Sequence, residues 1–439
     1  MTVSLKDSGV EWLGMIPERW QVVRGSAVLV EQRSKNDPLV SERYLSLMAN
    51  IGVIPYEEKG DVGNKKPEDV RKCKLVSRGD FVINSMNYAI GSYGVSDYDG
   101  VCSPVYVVMK HQKDLADPRF IHLILSNPSY QSFAQSFGTG ILDHRRAIGW
   151  DEIKVIGVPL PNLSEQAKIA EWTSRELARI DTLVTKKLRF IELLSEKRRA
   201  LVTHAVTKGL NANAPMKDSG VEWLGEVPAH WKVMMLRRVV SSIEQGWSPD
   251  CDARPAVENE WGVMKSGCVN GGVFNERENK ALPERFSPRP DLEIRDGDVL
   301  MSRASGSPSL IGSAAYVANP RSKLMMSDKI FRISTTKDSD SRFLVLSLGS
   351  SFLRRQIELA IGGAEGLANN LSQSSIKSLW LTLPPLEEQR MIVAQVDRAT
   401  SRIDTLIAKT ERSIELLREH RTALITAAVT GKIDLREAA

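Results

Sequence analysis

The chain has 439 residues, a length that predicts two to four domains at roughly 100–200 residues each. Hydrophobic residues make up 42% of it and charged residues 26%, which excludes the disordered and collagen-like classes. The net charge of +5 permits a nucleic-acid partner but does not require one.

The apolar runs predict no membrane span. The longest of them, Ile153–Pro161 and Leu379–Pro385, fall far short of the ~20 residues that cross a bilayer. The first residues lack the apolar core of a signal peptide, so a cytoplasmic protein is expected. The four cysteines include no CxxC pair, which favours reduced thiols over a disulfide framework.

The chain is an imperfect duplication. Lys6–Gly14 and Lys217–Gly225 have the same nine-residue sequence, KDSGVEWLG. RIDTL at Arg179–Leu183 and IELL at Ile191–Leu194 both recur 223 residues later. The blocks between these similar flanks differ from each other. A retained pair of flanks around diverged blocks favours two domains with different targets on one scaffold, although neutral drift after duplication is the alternative.

Each diverged block is predicted to be a small α+β domain. Short apolar runs bounded by Gly, Asn, Ser and Pro indicate strands. The predicted strands are Tyr44–Leu47, Gly79–Ile83, Val105–Met109, Ile153–Val158, Asp298–Met301, Ala314–Ala318 and Ile330–Ile333. Short helices are predicted at Pro118–Ser126 and Ser341–Leu348.

A long helix is predicted after each block. Ser164–Lys208 contains neither Gly nor Pro, and its second copy begins near Glu387. Apolar residues in both copies recur at spacings of 4, 7, 3 and 7, the heptad pattern of a coiled coil. These seam positions are Ile180, Val184, Ile191, Leu194 and Leu201, with Ile403, Ile407, Ile414, Leu417 and Leu424 in the second copy. A single helix cannot bury such a seam, so we expect the two copies to pair antiparallel about a pseudo-two-fold axis. The alternative is that each helix packs on its own block.

Tryptophans flank both copies of the nine-residue motif. They are Trp12, Trp20, Trp223 and Trp231. Since both copies keep them, we expect them to seat each block on the helices, with stacking on nucleic-acid bases as the alternative.

Basic side chains concentrate in predicted loops of both blocks. Phosphate binding requires such cations, and base reading in the major groove requires Arg, Lys, Asn, Gln, Glu or Ser on protruding loops. The candidate DNA-binding residues are Lys59, Lys65, Lys66, Arg71, Lys72, Lys74, Arg145, Arg146, Arg277, Lys280, Arg285 and Arg303. For any one of them a solvated surface charge is the competing interpretation.

Catalytic motifs are missing from the sequence. It has no GxxxxGK[ST] phosphate loop, no metal-binding His or Cys spacing, no Gly-x-Ser-x-Gly elbow and no Asn/Asp-Pro-Pro-aromatic motif. Pro249-Asp250 with Glu278 and Lys280 only faintly echoes a metal-dependent nuclease. We therefore expect a protein without catalytic or metal-binding residues.

Taken together, these motifs resemble the specificity subunit of type I restriction–modification systems. The resemblance lies in KDSGVEWLGEVPAHW, a Gly-Asp-aliphatic strand in each block, LPPLEEQ leading into the RIDTL and IELL helix, and the terminal AAVTGKIDLR. The first copy departs slightly, with LPNLSEQ and VTKGL.

The resemblance implies a fold and a set of partners. The fold would be α+β, with two small target-recognition domains joined by two long helices in an antiparallel coiled coil. Each domain would read one half of a bipartite, asymmetric site in double-stranded DNA. Two modification subunits would bring S-adenosylmethionine for adenine N6 methylation, and restriction subunits would add ATP- and Mg²⁺-dependent cleavage. This subunit would itself hold no cofactor.

The domain boundaries follow from the repeats. The predicted segments are a conserved N-terminal segment at 1–19, a recognition domain at 20–158, a helix at 159–211, a linker repeat at 212–230, a second recognition domain at 231–381 and a helix at 382–439. The runner-up interpretation is a non-catalytic coiled-coil scaffold with two protein-binding domains.

Overall fold

Two units make up the chain, and two long helices run through both. A computed structural model describes residues 4–62, 65–138, 146–361 and 370–433. Unit 1 comprises Met1–Lys187 and Glu411–Ala439, and unit 2 comprises Leu188–Thr410. The long helices are α5, Leu163–Lys208, and α9, Leu386–Val429, which confirms the prediction of one long helix after each block.

Unit 1 is an α+β unit. Its strands are β1 Leu5–Asp7, β2 Met15–Pro17, β3 Gln21–Arg24, β4 Leu29–Glu31, β5 Leu45–Met48, β6 Gly52–Pro55, β7 Lys74–Val76, β8 Phe81–Asn84, β9 Tyr93–Val95, β10 Gly100–Cys102, β11 Tyr106–His111 and β12 Gly157–Leu160. Its shorter helices are α1 Gly25–Val28, α2 Pro118–Leu125, α3 Pro128–Phe137 and α4 Trp150–Ile153.

Unit 2 has the same kind of composition. Its strands are β13 Met216–Asp218, β14 Glu226–Pro228, β15 Lys232–Met235, β16 Val240–Gln245, β17 Gly262–Met264, β18 Asn279–Ala281, β19 Val299–Ser302, β20 Ala314–Tyr316, β21 Leu324–Met325, β22 Ile330–Thr335 and β23 Trp380–Leu383. Its shorter helices are α6 Ser341–Gly349, α7 Ser351–Ala360 and α8 Gln373–Ser378.

The central sheets of the two units have the same strand order. Unit 1 has an antiparallel sheet in the order β4-β11-β8-β9, and unit 2 has one in the order β16-β22-β19-β20. In both sheets the central pair of strands is rich in buried β-branched and large apolar residues, as in β11 (YVVMKH) and β8 (FVIN). The hairpins β1-β2 and β13-β14 also correspond, and the turn of each is formed by a copy of the nine-residue motif.

The short helices begin where the sequence supplies caps. Asp117 accepts the backbone N–H of Arg119 and is followed by Pro118, which is suited to the first helical turn. Asp340 caps α6 in the same way. The helices predicted at Pro118–Ser126 and Ser341–Leu348 are therefore confirmed within one residue.

The predicted strand Ile153–Val158 was misplaced. Residues Trp150–Ile153 form a helical turn, and the strand runs from Gly157 to Leu160. Glu152 accepts the Gly149 N–H at 2.7 Å, which starts the turn. A short apolar run does not by itself distinguish a buried turn from a strand, so this boundary was not readable from the pattern.

The predicted seam positions face inward on both long helices. Ile180, Leu194, Ile403 and Ile414 are buried. The remaining six are half-buried: Val184, Ile191, Leu201, Ile407, Leu417 and Leu424. Ion pairs join the helices inside each unit: Arg421 to Asp181 at 3.2 Å in unit 1, and Arg198 to Asp404 at 2.9 Å in unit 2.

Tryptophans attach each block to both helices. In unit 1, Trp20 is buried in a cluster with Ile169 of α5 and Val429 of α9. In unit 2, Trp231 is buried with Val206 of α5 and Ile392 of α9. The seating role is confirmed for these two, and their burial excludes stacking on bases.

The other two tryptophans differ from each other. Trp12 is buried and donates its Nε1–H to the Gly157 carbonyl at 3.0 Å. Trp223 is about half-exposed and contacts Phe352 with its ring. The seating role therefore does not extend to Trp223 to the same degree.

The two buried tryptophans predict a difference in stability. Trp20 Nε1–H donates to Glu165 at 3.0 Å, whereas Trp231 Nε1–H is buried without a partner among the described residues. Both Trp→Phe changes leave a cavity of similar size. The difference between their losses of unfolding free energy therefore reports the contribution of the Trp20 hydrogen bond. We expect Trp20→Phe to cost about 1 kcal/mol more than Trp231→Phe in urea unfolding. Equal costs would contradict this assignment.

A buried ion pair lies at the centre of the unit 2 sheet. Arg332 of β22 donates its Nε–H to Asp298 at 3.0 Å, and its Nη1 lies 3.3 Å from Glu244. At the corresponding Gly-Asp of unit 1, Asp80 accepts the Ser77 N–H at 2.8 Å, and burial raises the pKa of its carboxyl. Asp298 likewise accepts the Arg295 N–H at 2.9 Å. The dipeptide therefore keeps the same backbone hydrogen bond in both units and has a charged partner in addition in unit 2.

The two aspartates should respond differently to neutralisation. Asp298→Asn keeps the shape but leaves Arg332 short of a counter-charge, and we expect a loss of about 3 kcal/mol, the lower end for breaking a buried pair. Asp80→Asn serves as the matched control. Because burial already disfavours its charged form, we expect a change within about 1 kcal/mol at neutral pH. Urea unfolding measures the free energy of unfolding of both variants, and equal losses would contradict this expectation.

Candidate nucleic-acid interface

An exposed basic segment lies on unit 1. Lys65, Lys66, Arg71 and Lys72 are all exposed. Asp69 accepts the Arg71 N–H at 3.0 Å and starts a helical turn, which presents Arg71 and Lys72 together. Beneath this turn Cys73 is buried against Tyr44 and Val101. Four cations on one anchored segment are suited to phosphate contacts.

Two other lysines of the predicted cluster turn inward. Lys59 is nine-tenths buried, donates to the Val62 carbonyl at 2.6 Å and lies 4.8 Å from the Tyr56 ring centroid. Lys74 donates to the Tyr106 carbonyl at 2.6 Å. Both ammonium groups bond to carbonyls within the fold, whereas the other four cations of the segment are exposed. A DNA contact by Lys59 or Lys74 stays a prediction. Sequence spacing could not separate them from their exposed neighbours.

The third basic group of unit 1 is only partly described. Arg145 lies outside the described residues. Arg146 is half-buried and precedes Ile148, whose N–H donates to the Ser85 carbonyl at 3.1 Å. This contact ties the segment to the loop that follows β8.

Some basic residues of unit 2 are exposed, and others contact neighbouring side chains. Arg277 and Lys280 are exposed beside β18. Arg285 pairs with Asp250 at 2.9 Å, with its guanidinium 5.0 Å from the Phe286 ring centroid. Arg303 is half-buried directly after β19, with its guanidinium 5.9 Å from the Phe331 ring centroid. The structure thus brings Arg277 and Lys280 together but places Arg303 on another element.

The faint nuclease pattern is not assembled into a site. Asp250 pairs with Arg285, and Glu278 pairs with Lys265 at 3.5 Å. Within the described ranges, no group of three or more His, Cys, Asp or Glu could hold a metal ion. These carboxylates act as partners of neighbouring cations.

The buried cysteines are held in the protonated form. Burial raises the pKa of the Cys102 and Cys268 thiols to about 12 in both cases. A thiol with so high a pKa is a poor nucleophile at neutral pH. These two residues therefore pack as small apolar side chains.

Among the helices of the described segments, none is long and apolar enough to cross a membrane.

Sequence reasoning missed Arg354, on α7. Its guanidinium donates to the carbonyls of Ile311 at 2.6 Å and Ser309 at 3.0 Å, which fixes the loop that follows β19. Nothing in the sequence indicates this, because the contact joins residues some 45 positions apart.

The comparisons with known proteins agree with the sequence motifs. Residues 278–416 match the family described as type I restriction modification DNA specificity domain. The chain is 31% identical over 209 residues to the specificity subunit of the type I restriction enzyme EcoEI of Escherichia coli, covering 47% of this chain but 35% of that protein. It is 25% identical to the MjaVIII specificity subunit of Methanocaldococcus jannaschii, covering 96% of this chain and 94% of the relative.

Solved structures share the fold. A chain from a study of complex assembly and conformational transition of the type I R-M system matches with a TM-score of 0.69 at 18% identity, covering 95% of this chain and 99% of the other. The HsdS subunit from Thermoanaerobacter tengcongensis matches with a TM-score of 0.50 at 17% identity, over 95% and 98% of the two chains. Both matches show mixed α/β content together with long helices.

Proposed function

Because this chain belongs to the family of type I restriction–modification specificity subunits, we propose that it selects the DNA sequence on which such a system acts and performs no catalysis itself. One observation carries the proposal. Each unit has the same four-strand sheet order, yet the exposed cations and loops around the two sheets differ. Two domains with the same sheet topology but different surfaces are suited to recognising two different DNA sequences.

Each recognition domain reads one half of a bipartite site in double-stranded DNA. The domains are the segments 20–158 and 231–381, which contain the two central sheets. Their surfaces differ, so the two half-sites differ and the whole site is asymmetric. Two modest contacts joined by a stiff connection act at high effective concentration and discriminate better than either alone.

The two long helices form an antiparallel coiled coil that sets the spacer between half-sites. The residue numbers of the two ion pairs, 198 with 404 and 181 with 421, add to the same total, as expected for antiparallel helices in one register. The half-buried Arg198 and Arg421 also continue the heptad spacing of the seam. The pair of Arg421 with Asp181 across the helices favours one register over others.

Modification subunits bind the outer faces of these helices. Leu183 and Leu193 on α5 are nearly half-exposed, and so are their counterparts Leu406 and Leu416 on α9. Exposed leucines that recur in both helix copies provide two equivalent apolar contacts for two modification subunits. Those subunits supply S-adenosylmethionine and adenine N6 methylation, and restriction subunits supply ATP- and Mg²⁺-dependent cleavage.

The exposed basic segment predicts a specific salt dependence. If Arg71 and Lys72 each neutralise one phosphate, the double change to Gln should reduce the slope of log affinity against log salt by about 1.8. Fluorescence anisotropy with duplex DNA measures this, using the chain assembled with its modification subunits. The matched control, Lys113→Gln, removes an exposed lysine outside the segment and should leave the slope unchanged.

The same experiment separates the two functional classes. Duplex binding that weakens steeply with salt supports the DNA-reading function. If the assembled chain shows no salt-dependent DNA binding, the protein-binding scaffold becomes the better interpretation.

The coiled coil predicts that helix length controls the spacer. Inserting one heptad after Lys187 and one after Thr410 lengthens both helices while preserving the seam. Seven residues add about 10.5 Å, or about three base pairs of duplex. We expect methylation-site sequencing to show unchanged half-sites with a longer spacer. A heptad in α5 alone is the control, since it puts the two seams out of register; an unchanged spacer in the double insertion would refute the role.

A further inference from the structure

Two loops occupy the same place in the two units. The β8–β9 loop, residues 85–92, and the β19–β20 loop, residues 303–313, each leave the strand that follows a Gly-Asp dipeptide. Each contains a short helical turn, Tyr88–Ile90 in one and Pro308–Leu310 in the other. Each also has a glycine with positive φ close to the next strand: Gly91 at 92° and Gly312 at 75°.

Both loops are fixed at their far ends. A Cβ on Gly91 would lie 2.3 Å from Asn50 Oδ1, and one on Gly312 would lie 2.7 Å from Ile357 Cγ2. Tyr88 is fully buried and donates its hydroxyl to the Leu125 carbonyl. In the second loop Arg354 holds the carbonyls of Ser309 and Ile311. Different residues therefore hold the two loops in place.

The near ends of the loops are fixed in equivalent ways. The Ser85 carbonyl accepts the Ile148 N–H at 3.1 Å, and the Arg303 carbonyl accepts the Leu371 N–H at 2.9 Å. Each loop thus has both ends anchored, while Met86 and Ile90 in one and Pro308 and Ser309 in the other remain exposed. Such preorganisation is required of a contact that discriminates between similar ligands, because a mobile loop adapts to all of them.

The exposed side chains of the two loops differ in chemical type. The β8–β9 loop exposes Met86 and Ile90, which are 51% and 47% exposed. The β19–β20 loop exposes Ser309 and carries the half-buried Arg303. Anchored loops at corresponding places with unlike side chains are what two readers of unlike bases require. In the major groove, apolar side chains contact the thymine methyl group and arginine pairs with guanine O6 and N7.

We propose that these two loops are the base-reading elements of the two domains, with Met86 and Ile90 contacting thymine methyl groups and Arg303 contacting guanine. The proposal rests on the proposed DNA-reading function and names the residues that give it specificity. Arg354 is a positioning residue that acts through the loop it holds. The exposed lysines and arginines near β7 and β18 contact phosphates and carry no base preference.

The test is a selection from a fully randomised duplex library by the chain assembled with its modification subunits. The wild type defines both half-sites, and competition with single-base changes then measures discrimination at each position. Met86→Ala should relax a thymine preference in one half-site by about tenfold. Arg303→Ala should relax a guanine preference in the other half-site by about tenfold to a hundredfold. Neither variant should change the half-site read by the other unit.

Matched controls separate base reading from general effects. Met15→Ala and Arg355→Ala remove exposed side chains of the same types, in the same units, outside the loops, and should change no preference. Arg354→Ala should blur several positions of the unit 2 half-site without altering the salt slope. Arg354→Lys keeps one donor group and should restore part of that discrimination.

A variant that prefers a different base, rather than losing its preference, cannot be explained by poor folding. Met86→Gln introduces the amide that pairs with adenine, so the preferred base should move from thymine to adenine at the affected position. If the wild type selects two half-sites but the Met86 and Arg303 variants keep both unchanged, the loop assignment is overturned and the proposed function stands. If the wild type selects no sequence, the proposed function itself fails.

Discussion

Each long helix carries a narrow apolar seam that it cannot bury against itself, and the rest of the structure depends on how that seam is covered. Inside unit 1 the first half of α5 meets the last part of α9, and inside unit 2 the last part of α5 meets the first half of α9. The tryptophan clusters then attach each block to segments of both helices. A block packed on two helices at once cannot rotate independently of those helix segments, as the proposed spacing role would require.

The ion pairs between the helices contribute little to stability but can contribute to register. Their side chains are a third to more than half exposed, and such pairs are worth at most about 1 kcal/mol. A slip by one heptad would place Ser174 or Leu188 near Arg421 in place of Asp181, so that pair would be lost. Arg198 would instead meet Asp397 or Glu411, so only the pair in unit 1 penalises the slip. Two pairs that look equivalent by sequence therefore differ in what they specify.

The parts that the sequence predicted share a physical reason. The long helices, their seam and the caps of α2 and α6 follow from local periodicity and from residues that bond to their own backbone. The misplaced strand before Gly157 shows where that reasoning stops. Helix α3 was missed although its signals are local, since Asn127 caps it and Tyr130, Phe133, Ala134 and Phe137 recur at helical spacing. The inward turn of Lys59 and Lys74 depends instead on carbonyls presented by the folded chain.

The two units share their sheet topology but differ in their side chains, and this contrast bears on how a new DNA specificity could arise. The two central sheets keep one strand order although Asp298 pairs with Arg332 in one of them, whereas in the other burial raises the pKa of the Asp80 carboxyl. The loops occupy corresponding places although a buried tyrosine anchors one and an arginine anchors the other. Since the supports of each loop lie inside its own unit, exposed residues in one loop can change without disturbing the helices or the other sheet. Under the proposed function, reading of one half-site could therefore diverge while the spacer and the partner contacts are retained, which would give two unlike readers on one scaffold.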